Sequence, residues 1–185
     1  MESGLAMVTL ILGGARSGKS RYAQTLAALA AQEKDVVFLA TAQVYDDQMR
    51  VKIERHRKDR PASWKTVEVP FDLDVAITKH GQPNAFLLID CLTTFTTNLM
   101  MAENGNEEAI FKRIDRVRSA LETTAASVAV VSNEVGCGVV PSYPSGFQFR
   151  DLLGEINQKI AQVAGNVILM IAGCPLMLKG NTLQQ

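Results

Sequence analysis

The stretch that decides the fold is Met7-Val-Thr-Leu-Ile-Leu-Gly-Gly-Ala-Arg-Ser-Gly-Lys-Ser20. Residues 7–12 are almost wholly apolar, which predicts a strand buried on both faces. Residues 13–20 then fit the pattern G-x-x-x-x-G-K-S, and a helical pattern follows from Lys19 onward. A strand, a glycine-rich loop and a helix in this order predict a P-loop that binds the phosphates of a nucleotide.

The residue types of this loop suit phosphate binding. Small residues let consecutive backbone N–H groups curl around a phosphate, and Lys19 adds a cation for the outer phosphates. The Ser20 hydroxyl can ligate Mg²⁺. The predicted phosphate contacts are Gly13, Gly14, Ala15, Arg16, Ser17, Gly18, Lys19 and Ser20. A glycine-rich turn that fits the pattern by chance is the alternative, and the flanking strand and helix argue against it.

Apolar runs alternate with amphipathic segments along the rest of the chain. Further strands are predicted over residues 36–40, 63–69, 85–90, 128–131 and 167–171. Helices are predicted over residues 19–30, 72–80, 92–101, 107–124 and 149–164, with another from Asp46 to about Arg60 and a loop over 136–147. This alternation implies an α/β fold with a mostly parallel sheet and helices on both faces. We predict one domain over residues 1–185, with residues 1–6 flexible.

The composition excludes several classes of protein. The 19 Lys and Arg residues balance 19 Asp and Glu residues, so nothing steers the whole chain towards nucleic acid or an anionic membrane. Cys91, Cys137 and Cys174 are irregularly spaced and predict neither a disulfide framework nor a zinc site. No secretory leader or bilayer-length apolar segment is evident. We expect a cytoplasmic protein that neither binds nucleic acid nor spans a membrane.

Asp90 ends the apolar strand predicted over residues 85–90. In P-loop proteins an acidic residue at such a strand end lies beside the metal ion, so Asp90 and Ser20 are the candidate Mg²⁺ ligands. Many strands end in aspartate, and a turn or helix-cap role is the alternative. The P-loop at Gly13 favours the metal site.

A histidine stands in the basic segment Lys52-Ile-Glu-Arg-His-Arg-Lys-Asp-Arg60. The five Lys and Arg residues of this segment disfavour protonation of the His56 imidazole, because like charges repel the charged form. A neutral imidazole can attack phosphorus, and the cations can stabilise a leaving pyrophosphate. The chemistry alone leaves two alternatives open: a solvated basic face with an incidental histidine, and a kinase lid whose arginines close on phosphates.

Together these motifs resemble the bifunctional adenosylcobinamide kinase / adenosylcobinamide-phosphate guanylyltransferase family of cobalamin biosynthesis. The resemblance runs from about Val8 to Lys179. The stretches that carry it are Gly13-Gly-Ala-Arg-Ser-Gly-Lys-Ser-Arg21, Leu39-Ala-Thr-Ala-Gln43, Lys52 to Glu68, Leu88-Ile-Asp-Cys-Leu-Thr-Thr94 with Asn98, Ser132-Asn-Glu-Val-Gly-Cys-Gly-Val-Val-Pro141 and Phe149-Arg-Asp-Leu-Leu-Gly-Glu-Ile-Asn-Gln158. The P-loop is generic, but the segments around His56 and Asn133 are specific to this family, which favours a functional His56.

The resemblance implies two reactions. One phosphorylates the side-chain hydroxyl of adenosylcobinamide, a corrinoid, with ATP or GTP. The other transfers GMP from GTP to that phosphate and releases pyrophosphate, through a guanylylated histidine that falls on His56; Lys19 is the other predicted catalytic residue. The implied nucleotide contacts beyond the P-loop are Thr41, Ala42, Gln43, Arg57, Lys58, Asp59, Arg60, Glu68 and Asp90. The family also implies a RecA-like fold and a homotrimer.

Two carboxylates are candidates for reading the base. A carboxylate can accept two N–H bonds from the edge of guanine, which adenine does not offer in the same pattern. Either Glu68 or Asp90 can therefore read guanine, so the role of Asp90 stays open between base and metal. The chain departs from the family pattern at Phe147, where arginine is usual, and at Phe95, where tryptophan is common.

Two other classes of protein are the alternatives. A P-loop small-molecule kinase without nucleotidyl transfer would use the arginines near His56 as a lid. A regulatory GTP-binding switch usually reads guanine through Asn-Lys-x-Asp, which this sequence lacks. The resemblance argues against the simple kinase, and the missing motif argues against the switch.

Overall fold

A computed structural model of the chain describes residues 7–43 and 60–180. Within these ranges seven strands form one sheet in the order β3-β2-β4-β5-β1-β6-β7. The strands are β1 (Val8–Gly13), β2 (Asp35–Ala40), β3 (Lys65–Glu68), β4 (Ala85–Asp90), β5 (Ser127–Val131), β6 (Asn166–Ile171) and β7 (Cys174–Lys179). The helices are α1 (Lys19–Ala30), α2 (Leu73–His80), α3 (Leu92–Ala102), α4 (Glu107–Thr123) and α5 (Pro144–Val163).

Strands β1 to β6 run parallel, and β7 pairs with β6 in the antiparallel sense. Strand β1 lies between β5 and β6, so the loop that follows it emerges near the middle of the sheet. Because parallel strands end at the same edge, the residues after β1, β2, β4 and β5 meet there. This edge is where open α/β sheets bind their ligands.

The two faces of the sheet carry separate hydrophobic cores, because side chains alternate along each strand. Leu10 of β1 belongs to the larger core, which α2 to α5 cover. Its neighbour Ile11 belongs to the smaller core, which contains Ala23 and Ala27 of α1 and the buried Trp64. The small side chains on α1 let that helix lie close to the sheet and bring its first turn over the strand ends.

The structure confirms the predicted α/β architecture and its helices on both faces. It corrects one boundary and adds one strand. The helix predicted from residue 149 begins at Pro144, which is favoured in the first turn because the N–H that proline lacks has no partner there. Strand β7 was not predicted: the apolar run after Gly173 turns back and pairs with β6.

Some predictions fall on other parts of the chain. The helix predicted from Asp46 to Arg60 lies almost entirely outside the described residues, as do residues 1–6. Within residues 7–43 and 60–180, none of the helices combines the length and hydropathy that a bilayer-spanning segment needs.

Candidate active site

The P-loop connects β1 to α1 in a closed turn. Gly13 has φ 158°, and a Cβ at this position would contact Ser17 Oγ and lie 2.8 Å from the Met170 carbonyl oxygen. Gly18 has φ 98° and forms the N-cap of α1. The Ser17 N–H donates to the Gly14 carbonyl at 3.3 Å, and Lys19 Nζ donates to the same oxygen at 3.0 Å. The loop thus has the curled form that presents backbone N–H groups to an anion.

The turn between β6 and β7 supports this loop from outside. It consists of Ala172 (φ 50°) and Gly173 (φ 84°). The Gly173 N–H donates to the Ser17 carbonyl at 2.9 Å. A Cβ on Gly18 would lie 3.2 Å from the Gly173 Cα. The unpredicted strand β7 therefore has a role at the site, because it holds the turn that braces the P-loop.

A cleft of about 1040 Å³ opens over the carboxyl edge of the sheet. Its size is that of a site for a molecule as large as a nucleotide. Its lining residues are Ala15, Arg16, Ser17, Gly18, Lys19, Ser20, Arg21, Ala40, Ala42, Arg60, Thr66, Glu68, Asp90, Cys91, Thr93, Thr94, Asn133, Ala172 and Gly173. The structure thus brings most of the P-loop together with four other predicted site residues, namely Ala42, Arg60, Glu68 and Asp90.

The other predicted residues either are not part of this lining or fall outside the described residues. Thr41 is fully buried beneath the cleft: its hydroxyl donates to the Cys91 carbonyl and accepts from the Cys91 N–H, both at 2.8 Å. Gln43 is half-buried and is the last residue described before the gap. The sequence-predicted nucleophile and three of its basic-segment neighbours lie outside the described residues: His56, Arg57, Lys58 and Asp59.

Buried or half-buried polar side chains fix the strand ends that form the cleft floor. Asn98 on α3 donates to the carbonyls of Thr41 at 2.8 Å and Pro70 at 3.0 Å, which ties the end of β2 to the chain after β3. Thr93 Oγ1 accepts from the Asn133 N–H at 2.8 Å. Asn157 Nδ2 donates to the Asn133 carbonyl at 3.0 Å. We call Thr41, Thr93, Asn98 and Asn157 the strand-end frame.

Comparison with known proteins decides the family. Residues 9–178 match the model of a family described as cobinamide kinase / cobinamide phosphate guanyltransferase. The chain belongs to this family. A relative from Escherichia coli K12, the bifunctional adenosylcobalamin biosynthesis protein CobU, is 39% identical over 184 residues, which cover 94% of this chain and 100% of the relative. The corresponding CobP of Pseudomonas aeruginosa is 39% identical over 181 residues, covering 96% and 100%.

A solved structure supports the fold. A KaiC-like protein from Pyrococcus horikoshii OT3 superposes with a TM-score of 0.52 at 16% identity, covering 89% of this chain and 71% of that one. This likeness bears out the predicted P-loop fold of the RecA type. As a cobinamide kinase and cobinamide phosphate guanyltransferase, the chain performs two nucleotide-dependent reactions of cobalamin biosynthesis, and the described residues hold one P-loop to serve them.

The cleft of this kinase and guanyltransferase also contains a thiol. Burial raises the pKa of Cys91, and the neighbouring Asp90 charge raises it further, although hydrogen bonds from Thr94 and Thr93 act in the opposite direction. The thiol sulfur lies 3.2 Å from Thr94 Oγ1. A protonated thiol is a poor nucleophile, so this shift disfavours Cys91 as an attacking group.

At the opposite wall, the Arg60 guanidinium stacks over the Phe38 ring, with its Cζ 3.5 Å from the ring centroid. This stacking fixes the last residue of the basic segment at the cleft. His80 lies away from the cleft at the end of α2, and burial, Lys65 and Lys79 all lower its pKa.

Sequence analysis assigned no role to several lining residues. Thr93 and Thr94 begin the helix that follows Asp90, and a helix start after a strand lies at the same edge as the P-loop, so topology alone could have placed them. Ala172 and Gly173 form a two-residue turn between apolar runs, and that hairpin signal was available in the sequence.

Proposed function

We propose that this chain phosphorylates adenosylcobinamide with the terminal phosphate of ATP or GTP and then attaches GMP from GTP to the product. The observation that carries the proposal is the cleft itself. It joins a P-loop, two carboxylates at strand ends and Arg60, the described end of the basic segment that contains His56. The triphosphate and the base thus have described residues of suitable chemistry along one edge of the sheet.

The phosphate end of the cleft suits a triphosphate with Mg²⁺. The Ser20 hydroxyl and the Asp90 carboxylate both line it, and hard oxygen donors of this kind are those that Mg²⁺ prefers. When bound, the ion supplies positive charge that offsets the phosphates. Lys19 adds a cation at the start of α1, where the helix dipole also favours an anion.

Strand pairing suggests separate roles for the two carboxylates. Glu68 pairs with Ala40, and Ala40 pairs with Asp90, so the three residues form one row across the sheet. With neighbouring strands about 4.8 Å apart, Asp90 is two strands or about 10 Å from β1, and Glu68 is four strands or about 19 Å from it. Asp90 is near enough to the P-loop for a metal ion on the phosphates. We assign Glu68 to the guanine edge.

His56 is the proposed nucleophile of the second reaction. Its imidazole nitrogen attacks the α-phosphorus of GTP, a P–N bond forms, and the bond to the bridging oxygen breaks, so that pyrophosphate leaves with the electron pair. A phosphate oxygen of adenosylcobinamide phosphate then attacks the same phosphorus and releases the imidazole. Arg60 and the neighbouring cations offset the charge that develops on the pyrophosphate.

Labelling with GTP that carries radioactive phosphorus at the α-position tests this assignment. We expect an acid-labile, base-stable label on the wild type and none on His56→Ala. His80→Ala is the matched control, because His80 is the other histidine of the chain, and it should label like the wild type. Label that persists in His56→Ala, or none on the wild type, would refute the guanylyl-histidine.

The kinase reaction provides a second readout for the same variants. His56→Ala should retain most phosphorylation of adenosylcobinamide while it loses GMP transfer, because the two reactions use different attacking groups. An equal loss of both activities would mean that His56 has a structural or shared role.

We also propose that the chain forms a homotrimer. Apolar side chains are exposed at the β7 side of the sheet: Ile171 at the end of β6 is 56% exposed, and Leu176 and Leu178 on the edge strand β7 are 51% and 55% exposed. Exposed apolar side chains along a sheet edge favour association with another chain. Analytical ultracentrifugation should give about 60 kDa, three times the 20.1 kDa chain, and Leu176→Lys should lower it. A 20 kDa species at micromolar concentration would contradict the trimer.

The reducing cytoplasm is the compartment that we propose for these reactions. Cys91, Cys137 and Cys174 are all free thiols, which suits a reducing environment. Cell fractionation with an antibody against the chain tests this location.

A further inference from the structure

Asn133 occupies a special place at the phosphate end of the cleft. It follows β5, the strand beside β1, and lines the cleft together with Lys19 and Ser20. The residues on either side bind the backbone of β1: the Ser132 N–H donates to the Ile11 carbonyl at 3.0 Å, and the Glu134 N–H donates to the Gly13 carbonyl at 3.1 Å. Asn133 is thereby fixed against the strand that leads into the P-loop.

Both backbone groups of Asn133 are held by side chains of the strand-end frame. Thr93, at the start of α3, accepts from its N–H, and Asn157, on α5, donates to its carbonyl. Asn157 is 5% exposed, so this bond is shielded from solvent. Two helices therefore fix the backbone of Asn133, and among the described residues its side-chain amide forms no hydrogen bond. A polar side chain set on a rigid backbone at a ligand cleft is preorganised for a ligand.

We propose that the Asn133 side-chain amide donates a hydrogen bond to the terminal phosphoryl group of the nucleoside triphosphate during phosphorylation. An amide Nδ2 is a neutral donor, and a phosphate oxygen is an acceptor. Being neutral, the amide contacts the phosphoryl group without drawing the Lys19 cation away from it. Thr93 and Asn157 are positioning residues that act through Asn133.

The inference rests on the kinase activity of the family and assigns no proton transfer to the amide. In that reaction an O–P bond forms between the corrinoid hydroxyl and the terminal phosphorus. The bond to the bridging oxygen breaks, the nucleoside diphosphate leaves with the electron pair, and the hydroxyl proton passes to water. Asn133 would bind the transferred group, so its contact exists with a triphosphate and not with a diphosphate.

Binding of two adenine nucleotides to the full chain separates this role from a structural one. Calorimetry compares Mg–ADP with Mg–adenylyl-imidodiphosphate, an analogue that retains a third phosphate. For Asn133→Ala we expect affinity for the analogue to fall about tenfold, the loss of one hydrogen bond to a charged group, and affinity for ADP to stay within about threefold. For phosphorylation with ATP, kcat/KM should fall by at least as much as the affinity for the analogue.

Three further variants make the test decisive. Asn133→Asp has the same shape but adds a negative charge, and it should weaken binding of the analogue more than Asn133→Ala does. Thr93→Val removes the acceptor for the Asn133 N–H and should reproduce part of the selective loss. Asn84→Ala is the control, because Asn84 hydrogen-bonds Asp35 at the opposite edge of the sheet, and it should bind both nucleotides normally.

Two outcomes would overturn the proposal. One is an Asn133→Ala protein that binds the analogue and ADP with equally reduced affinity, which indicates a structural role. The other is an Asn133→Ala protein whose relative affinity for the analogue and ADP is unchanged and whose kcat/KM for phosphorylation is within about threefold of the wild-type value. Neither outcome depends on His56, so the α-label experiment tests guanylyl transfer independently of this proposal.

Discussion

The cleft has two ends that are built by different means: the phosphate end at the P-loop, and the end at Glu68, which we propose to bind the base. At the phosphate end, backbone groups shape the site: Gly13 lies against the Met170 carbonyl, and the Gly173 N–H holds the Ser17 carbonyl at 2.9 Å. At the base end, side chains do so: Glu68 projects exposed from β3, and Arg60 stacks on Phe38. A backbone site serves every triphosphate alike, whereas side chains can distinguish one base from another. Variants at the two ends should therefore differ in nucleotide selectivity.

The largest effect is expected for Lys19→Ala at the phosphate end. It removes the cation that we propose for the phosphates, and loss of one such group typically lowers rates about 10²- to 10³-fold. Phosphorylation and GMP transfer should both fall, with ATP and GTP affected alike, because Lys19 contacts no base. Steady-state kinetics of both reactions measure this. Lys34→Ala is the control, since Lys34 binds Ser127 at the opposite edge of the sheet. Loss of only one reaction would mean that the two reactions do not share the P-loop.

The next effect separates two adjacent glycines. Gly13→Ala places a methyl group against Ser17 Oγ and 2.8 Å from a backbone oxygen, so we expect about 1–3 kcal/mol of destabilisation and weaker binding of all nucleotides. Gly14→Ala is the matched control: its methyl group would have no atom within 4 Å. Urea denaturation and GDP binding compare the two. Equal stability of the two variants would show that the loop can move away from β6.

This contrast also explains how much of the site the sequence could reveal. The phosphate end could be located from sequence because its geometry demands glycine at positions such as Gly13 and Gly18, and those demands leave a pattern. The sheet and most helices followed from the spacing of apolar residues. Nothing local marks Asn157 as the partner of Asn133, because they are 24 residues apart in the sequence and only the fold brings them together.

Thr41 shows the same limit, because the sequence does not reveal that its hydroxyl bonds both backbone groups of Cys91, a partner 50 residues away. Its predicted contact with the nucleotide stays a prediction. Strand β7 was missed because an edge strand with both faces exposed lacks the apolar alternation that marks a half-buried strand. Sequence patterns thus report burial and backbone demands well, and long-range side-chain pairing poorly.

A smaller but selective effect is expected at the base end. Glu68→Gln removes one of two acceptors for the guanine edge, so GTP affinity should fall about tenfold while ATP affinity stays within about twofold. Asp90→Asn is the informative comparison, because Asp90 lies two strands nearer the P-loop. Asp90→Asn should weaken binding of both GTP and ATP and raise the Mg²⁺ concentration required for activity. If Asp90→Asn lowered the affinity for GTP and not for ATP, Asp90 would be the residue that recognises guanine, and the proposed roles of Asp90 and Glu68 would be exchanged.

The smallest expected effect concerns Cys91, which lies on the floor between the two ends. Its thiol is partly accessible from the cleft, but burial and the Asp90 charge raise its pKa, and the thiolate is the form that reacts with iodoacetamide. Raising the pKa of a thiol lowers its thiolate fraction at any given pH. At pH 7.5, Cys91 should therefore be alkylated several-fold more slowly than the exposed Cys137 and Cys174, as peptide mass spectrometry would show. Its rate should still be rising at about pH 9, above the usual thiol pKa of about 8.5.

The alkylation rate of Cys91 in the presence of nucleotides can report whether a ligand occupies one end of the cleft or both. A triphosphate that spans the cleft covers Cys91, so ATP and GTP should both slow its alkylation further, and neither should protect the exposed Cys137. Inorganic triphosphate reaches only the phosphate end and should protect less. If inorganic triphosphate alone protected Cys91 fully, occupation of the phosphate end would be enough to cover the thiol. The two ends of the cleft would then not be independent.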